Sequence, residues 1–410
     1  MVINSNNMIK VATALRTVLK EIKILDSEII KLTDALGMVL SEDIRSDADI
    51  PGSDNSAMDG YALKSIDLKG ASKNNPKVLK IIDQLKAGDI PGTRLENNQA
   101  IRIMTGALIP KGADSVIMVE NTQRQDKNKV KIFKETVMGE NIRRAGEDVR
   151  KGELVIPCGT LLKPAHIGLL AALGRAKVKV TRKPKVAILA TGDELVDVKE
   201  KLKPGKIRSS NTYTLYTQII KSGGIPKDLG IAKDRPLELE KKIKLGLDCD
   251  LILTSGGVSV GDYDLVKVIL AKLGTDIKFW KIAMRPGKPL VFGTLKDKLV
   301  FGLPGNPVSS MVSFEMFVKP AILKMLGQKH NDGIKEVEAS VEEDIKKKPG
   351  LSYLLRANTR WHQGKYLTKT TGPQGSGILK SMGLANSLII LNEKDVYIKK
   401  GSIVKVRFLN

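Results

Sequence analysis

Aromatic side chains make up only 4% of this 410-residue chain, which leaves few platforms on which single-stranded nucleic acid could stack. Cysteine is scarcer still: Cys158 and Cys249 are the only two, too few for a disulfide framework or a zinc ribbon. A reducing cytoplasm is the expected compartment. The opening Met1-Val2-Ile3-Asn4-Ser5-Asn6-Asn7 has neither the basic nor the apolar region of a signal peptide. Long apolar runs are missing as well. The longest notable uncharged stretch, Leu299 to Phe314, is broken by Gly302-Leu303-Pro304-Gly305-Asn306-Pro307, so no membrane span is expected. There is no Walker A sequence and no Gly-x-Gly-x-x-Gly after a strand, which argues against an NTPase and a dinucleotide-binding enzyme.

Positive charge is plentiful. Lys+Arg 68 against Asp+Glu 45 leaves a formal +23, a balance that suits an anionic partner or simply solvates the surface. The length fits about three domains as a soft prior. Residues 8–25 have helical apolar spacing. A strand at 28–32 follows, then a helical turn with Thr33 as N-cap and Gly37 as its stop. Turn-separated strand signals at 78–82, 100–104, 115–119 and 130–133 predict a β-rich domain over 49–148. After a strand at 154–156, Pro164 opens a helix ending at Gly174. Residues 1–48 and 149–180 together read as a helical linker domain that the β-rich domain interrupts. From 181 to 328 strands alternate with helices, including one capped by Asn211 and one with Asn306 as N-cap and Pro307 at its first position, the pattern of a three-layer α/β domain with a mostly parallel sheet. Residues 329–410 return to strand alternation and read as a small β-barrel or sandwich, with the barrel the expected form. The fold expected is multidomain, α/β plus β.

Within the α/β region three strand-to-helix turns carry the chemistry. Thr191-Gly192-Asp193-Glu194 follows the first strand, Ser255-Gly256-Gly257 and the loop to Asp264 follow a middle one, and Pro304-Gly305-Asn306-Pro307 follows a late one. Turns at the carboxyl ends of parallel strands share one edge, where open α/β sheets bind ligands. Glycines there let backbone N–H groups approach an anion. The acids Asp262 and Asp264 suit a site that also needs a divalent cation or a proton donor. Lys281, Arg285 and Lys288 lie between the second and third turns and fit phosphate binding. Gly257-Val258-Ser259-Val260-Gly261 matches a hydrolase nucleophile elbow, but the only downstream histidines, His330 and His362, fall in or beside the C-terminal β region. Two further polar patches, at 53–62 and 143–148, read as turns on composition.

Taken together, the segments Ser56 to Ala62, Thr105-Gly106-Ala107, Gly139 to Asp148, Thr191 to Leu195, Ser255 to Asp264, Arg285 to Pro289 and Gly302 to Ser310 closely resemble the molybdopterin molybdenumtransferase (MoeA) family, which includes the C-terminal domain of gephyrin. The matches run in order over nearly the full length. The resemblance implies a four-domain subunit in a homodimer, with the active site between the α/β domain of one subunit and the β-rich domain of the other. It implies a reaction on adenylylated molybdopterin, molybdate and Mg²⁺, in which the phosphoanhydride is cleaved and AMP leaves. Molybdopterin adenylyltransferase is the implied upstream donor; neither nucleic acid nor a membrane is an expected partner.

By the same resemblance Asp59, Asp148, Glu194 and Asp264 are the catalytic candidates, with Asp59, Glu194 and Asp264 as Mg²⁺ ligands. Asp262 competes with Asp264 for one role. Substrate binding falls to Thr105, Arg143, Asp234, Ser255, Gly256, Gly257, Lys281, Arg285, Lys288, Pro304 and Pro307, with Arg356 and Ser376 of the C-terminal domain also reaching the site. Carboxylates can hold Mg²⁺ or orient water, and cations can bind phosphate or the molybdate oxyanion. Two alternatives stay open: a tungsten-inserting relative, since tungstate is a similar tetrahedral oxyanion, and a non-catalytic molybdopterin-binding or scaffold protein. Five acids would weaken a pure anion binder.

Overall fold

The computed structural model describes residues 8–257, 265–328 and 334–409. Two compact units divide the chain: one of residues 1–42, 158–168 and 175–410, the other of residues 43–157 and 169–174.

The first unit is built on a six-stranded sheet in the order Ile225–Ala232, Lys185–Thr191, Leu251–Ser255, Lys298–Leu303, Pro289–Leu295, Asp276–Lys281. The first four strands are parallel and the last two join antiparallel. The central strands are almost continuously apolar because both of their faces are covered. Alternate side chains divide cleanly between two cores. Val186, Ile188, Leu251, Leu253, Leu299 and Phe301 meet Leu215 and Ile219 of helix Ser210–Lys221 on one face. Ala187, Leu189, Ile252 and Val300 meet Leu239 and Ile243 of helix Pro236–Leu245 and Val266 and Ile269 of helix Leu265–Lys272 on the other. This is the three-layer arrangement that the alternation predicts.

The same unit carries the C-terminal barrel. Strands Ser352–His362, Lys365–Thr370, Glu336–Val341, Ile403–Phe408 and Ser387–Leu391 pair in that order, and the last pairs back with the first, closing the ring. The short strand Met284–Arg285 pairs with its Ser352–Tyr353 end.

Towards the N-terminus, helix Val11–Lys20 buries Ala14 and Val18. It is shorter than its apolar spacing suggests, because the chain leaves the helix at Glu21 while Ile22 still packs into the core. Thr33 does not cap a helix: it lies inside the 3-10 turn Leu32–Asp34, which the extended Lys31 enters. The segments read as a helical linker also hold a three-stranded antiparallel sheet of Ser27–Lys31, Lys177–Thr181 and Val39–Leu40.

The second unit contains another six-stranded sheet, in the order Ser115–Met118, Gly60–Leu63, Gln99–Ile103, Lys77–Leu85, Lys129–Ile132, Thr122–Arg124. Tyr61, Leu63 and Leu79 pack on one face, Ala62, Ile101 and Val116 on the other. No helix among the described residues is long and apolar enough to cross a membrane.

Candidate functional site

Sheet register fixes the centre of the site. Ala190 pairs with Ser255, and Ser255 with Leu303, so three parallel strands end level and release their turns side by side. Asn211 ties two of these turns together. Its amide donates to the Ser255 hydroxyl at 2.8 Å and to the Gly305 carbonyl at 2.8 Å. Asn211 is therefore a bridge and not the N-cap that its place in the sequence suggests. The helix begins one residue earlier, at Ser210, and the Ser209 and Thr212 hydroxyls pair at 2.9 Å at its start. Gly256 has φ +98°, and a Cβ there would collide with the Thr191 carbonyl oxygen. Only glycine lets the second turn lie against the first.

Between these turns lies a pocket of about 430 Å³ lined by Glu194, Asp234, Asn211, Ser255, Gly256, Gly257, Pro304 and Pro307 among others. Seven of the expected residues thus meet here. Asp234 is held from the first turn, since its backbone N–H donates to Asp193 Oδ1 at 3.3 Å while Asp193 N–H donates to Asp234 Oδ2 at 3.4 Å. The Glu194 carboxylate folds back over its own turn. A Cβ on Gly192 would come within 2.5 Å of Oε2 and 2.6 Å of Oε1.

The expected cations lie alongside. Arg285 and Lys288 line a pocket of about 340 Å³ with Ser309, Gln374 and Ser376, and it shares Pro289 and Asn306 with the first. The Arg285 guanidinium sits over the Tyr353 ring, 5.6 Å from its centroid. Ser376 is brought here from the barrel, its carbonyl accepting the Val308 N–H at 3.1 Å. Lys281 ends its strand beside Trp280, with its ammonium 5.6 Å from that ring, and lines neither pocket.

Arg356 borders a third space of about 750 Å³ that shares Arg285 and Gln374 with the second. Its side chain is fully buried, and burial pulls its pKa down. The guanidinium grips one loop, donating to the carbonyls of Pro373, Gln374 and Gly375 at 3.1, 3.2 and 3.0 Å, and to the Ser381 hydroxyl at 3.0 Å. In this arrangement Arg356 fixes the loop that leads into Ser376.

The second unit holds the remaining candidates. Asp59, exposed just before strand Gly60–Leu63, accepts the Thr105 N–H at 2.7 Å and the Thr105 hydroxyl at 2.8 Å. These two bonds hold its carboxyl below the ordinary value. Arg143 lies on the short strand Ile142–Arg143 paired with Asn55–Ser56. Next to it Arg144 pairs with Asp54 at 2.5 Å, whereas Arg143 has no ion pair among the described residues. Asp148 is exposed, its N–H donating to the Ile50 carbonyl at 3.1 Å.

Asp262 and Asp264 lie outside the described residues, and so does the rest of the loop from Val258. Among the described residues no three metal-ligating side chains converge. Sequence reading missed the bridging role of Asn211, the Asp193–Asp234 exchange, and Gln374. For Asn211 the available signal is its place in the first turn of helix Ser210–Lys221, where an Asn reads as a cap.

Three family profiles match the chain in tandem. The MoeA N-terminal region (domain I and II) covers residues 9–174, the probable molybdopterin binding domain 187–324, and the MoeA C-terminal region (domain IV) 338–409. The chain is 40% identical over 373 residues to a molybdopterin molybdenumtransferase of Bacillus subtilis, covering 89% of this chain and 86% of that one. A Haemophilus influenzae protein of the same name is 38% identical over 386 residues, 94% of each chain. Among solved structures, the molybdopterin biosynthesis moeA protein of Pyrococcus horikoshii superposes with a TM-score of 0.85 at 32% identity, over 98% of this chain and 100% of that one.

Proposed function

The chain belongs to the MoeA family, and from that premise we propose that it is a molybdopterin molybdenumtransferase, a transferase of molybdenum cofactor biosynthesis. The observation that carries the reading is the level ending of three parallel strands, which gathers Glu194, Asp234 and the Ser255–Gly257 and Pro304–Pro307 turns around one pocket. In the finer reading the substrates are adenylylated molybdopterin, delivered by molybdopterin adenylyltransferase, and molybdate. The phosphoanhydride is cleaved with Mg²⁺ and AMP leaves.

The donor set fits that cation. Glu194 and Asp234 are exposed carboxylates lining one pocket and would hold Mg²⁺ there, since that ion keeps several waters while using one or two carboxylates. When bound, it offsets negative charge on the phosphoanhydride. The chain's own groups do the rest. Asp59, kept ionised by Thr105, orients water; Arg285, Lys288 and Ser376 receive the metal oxyanion; the glycines admit the ligand to the backbone. Asp148, Arg143 and Asp264 share in the site, as the family resemblance implies.

A homodimer acting in the cytoplasm completes the reading. An exposed stripe on helix Ser210–Lys221, formed by Tyr213, Tyr216 and Ile220, is 40–54% accessible and supports a second copy as partner. The test is AMP release from adenylylated molybdopterin with and without Mg²⁺, by wild type and Asp59→Ala. Folded dimer that releases no AMP under any of these conditions overturns the reading.

A further inference from the structure

The 430 Å³ pocket poses an electrostatic problem. Its lining includes two carboxylates, Glu194 and Asp234, and a single cation among the described residues, Arg208. A phosphoanhydride entering this space meets like charge from these two acids, and among the described lining residues Arg208 is the side chain whose charge offsets it.

Arg208 is built for the task. Residues 195–208 form an excursion that folds back on itself: Leu195–Val196 pairs in parallel with Ile207–Arg208. Ile207 N–H donates to the Glu194 carbonyl at 3.0 Å, and Ser209 N–H to the Val196 carbonyl at 3.0 Å. The returning strand therefore sets Arg208 beside the Glu194 turn. Within the excursion Arg208 Nε donates to the Val198 carbonyl at 3.0 Å and Nη2 to the Glu200 carbonyl at 3.3 Å. A guanidinium has five N–H groups; two are donated here, which leaves three. Arg144, Arg182, Arg360 and Arg407 each pair with a carboxylate; Arg208 has no carboxylate partner among the described residues. A cation oriented by two carbonyls, with no carboxylate partner among the described residues, in the lining of a pocket that otherwise carries negative charge, is a preorganised anion anchor.

We propose that Arg208 is the phosphate anchor of this pocket, donating from the free edge of its guanidinium to the phosphoanhydride of the adenylylated substrate. The proposal rests on the function given above and adds a residue to it. Arg208 acts in binding: it holds the phosphate while the carboxylate wall and the cation act on the other side. It takes no proton and makes no covalent bond.

The test compares wild type, Arg208→Gln and Arg208→Lys in two arms. In turnover, Arg208→Gln raises KM for adenylylated molybdopterin about tenfold, the loss expected for one charge-assisted contact. Its kcat and its KM for molybdate stay within about twofold. Arg208→Lys falls between, since it keeps the charge and loses the fork. In a binding arm without turnover, calorimetry with AMP and adenosine reads the phosphate directly: wild type prefers AMP, and Arg208→Gln loses that preference while its adenosine affinity is kept. An unchanged AMP-to-adenosine ratio in a variant that melts like wild type overturns the anchor. So does a loss of both ligands together, which marks a structural role. If Arg208→Gln does not fold, Arg208→Lys decides on the same ratio. Wild type that binds AMP but never releases it from substrate sinks the assigned reaction and leaves the anchor standing.

Discussion

Oδ1 of Asp59 accepts both the backbone N–H and the hydroxyl of Thr105, at 2.7 and 2.8 Å. One residue thus holds the other's carboxylate from two directions, and Asp59 stays ionised further into acid than a free aspartate. The sign of the pH effect follows. A depressed pKa adds stability that is present above the unfolded-state value and lost as pH falls through the folded value. Thr105→Val removes the hydroxyl and keeps the N–H, so the Asp59 pKa moves up towards ordinary. The acidic limb of kcat/KM should shift to higher pH in this variant, and carboxyl NMR titration of Asp59 should follow it. An acidic limb that stays in place would show that Asp59 does not govern it.

Glu194→Gln keeps the shape of the first turn and removes its charge. The Mg²⁺ concentration for half-maximal AMP release should rise by about tenfold or more, because a neutral amide is a poorer ligand for a hard cation than a carboxylate. Metal titration of initial rates measures this. An unshifted midpoint would remove Glu194 from the cation's surroundings.

Asn211→Ala strips both donors of the bridge and leaves the Ser255 hydroxyl and Gly305 carbonyl without it. A stability loss of about 2 kcal/mol is expected for buried groups left unpaired. Asn211→Asp should cost at least as much, since an ionised carboxylate cannot donate. Urea unfolding of the three proteins gives the comparison; equal midpoints would mean that the turns hold their positions without the bridge.

Gly256→Ala puts a Cβ against the Thr191 carbonyl at a backbone angle that disfavours it. The expected cost is roughly 2–4 kcal/mol. AMP release should fall with it as the second turn backs away from the first. Wild-type melting behaviour would refute the close packing of the two turns.

Much of this was readable in the residues. The strands at 185–191, 251–255 and 298–303 are apolar on both faces, which announces burial between two helix layers. The turns after them carry glycine, acid and proline, as a ligand edge does. What stayed hidden was set by contacts far apart in sequence. Asn211 reaches residues 44 and 94 positions away, and no local pattern separates that from a cap. The loop gripped by Arg356 is equally silent in sequence, because its acceptors are backbone carbonyls and any residue supplies those. Lys281 shows the opposite limit. It shares a short motif with Arg285 and Lys288 yet lines neither of the first two pockets, because the strand it ends comes before the short Met284–Arg285 strand that pairs with the barrel.

The volume that a side chain at position 192 would fill is already taken by the Glu194 carboxylate. A change at 192 therefore acts on the acid at 194. Any larger residue at 192 evicts the carboxylate, so a substitution there removes the acid from the pocket without altering residue 194. Loss of function mapped to Gly192 would therefore join backbone strain, since its φ of +149° suits few L residues, to the displacement of one charge.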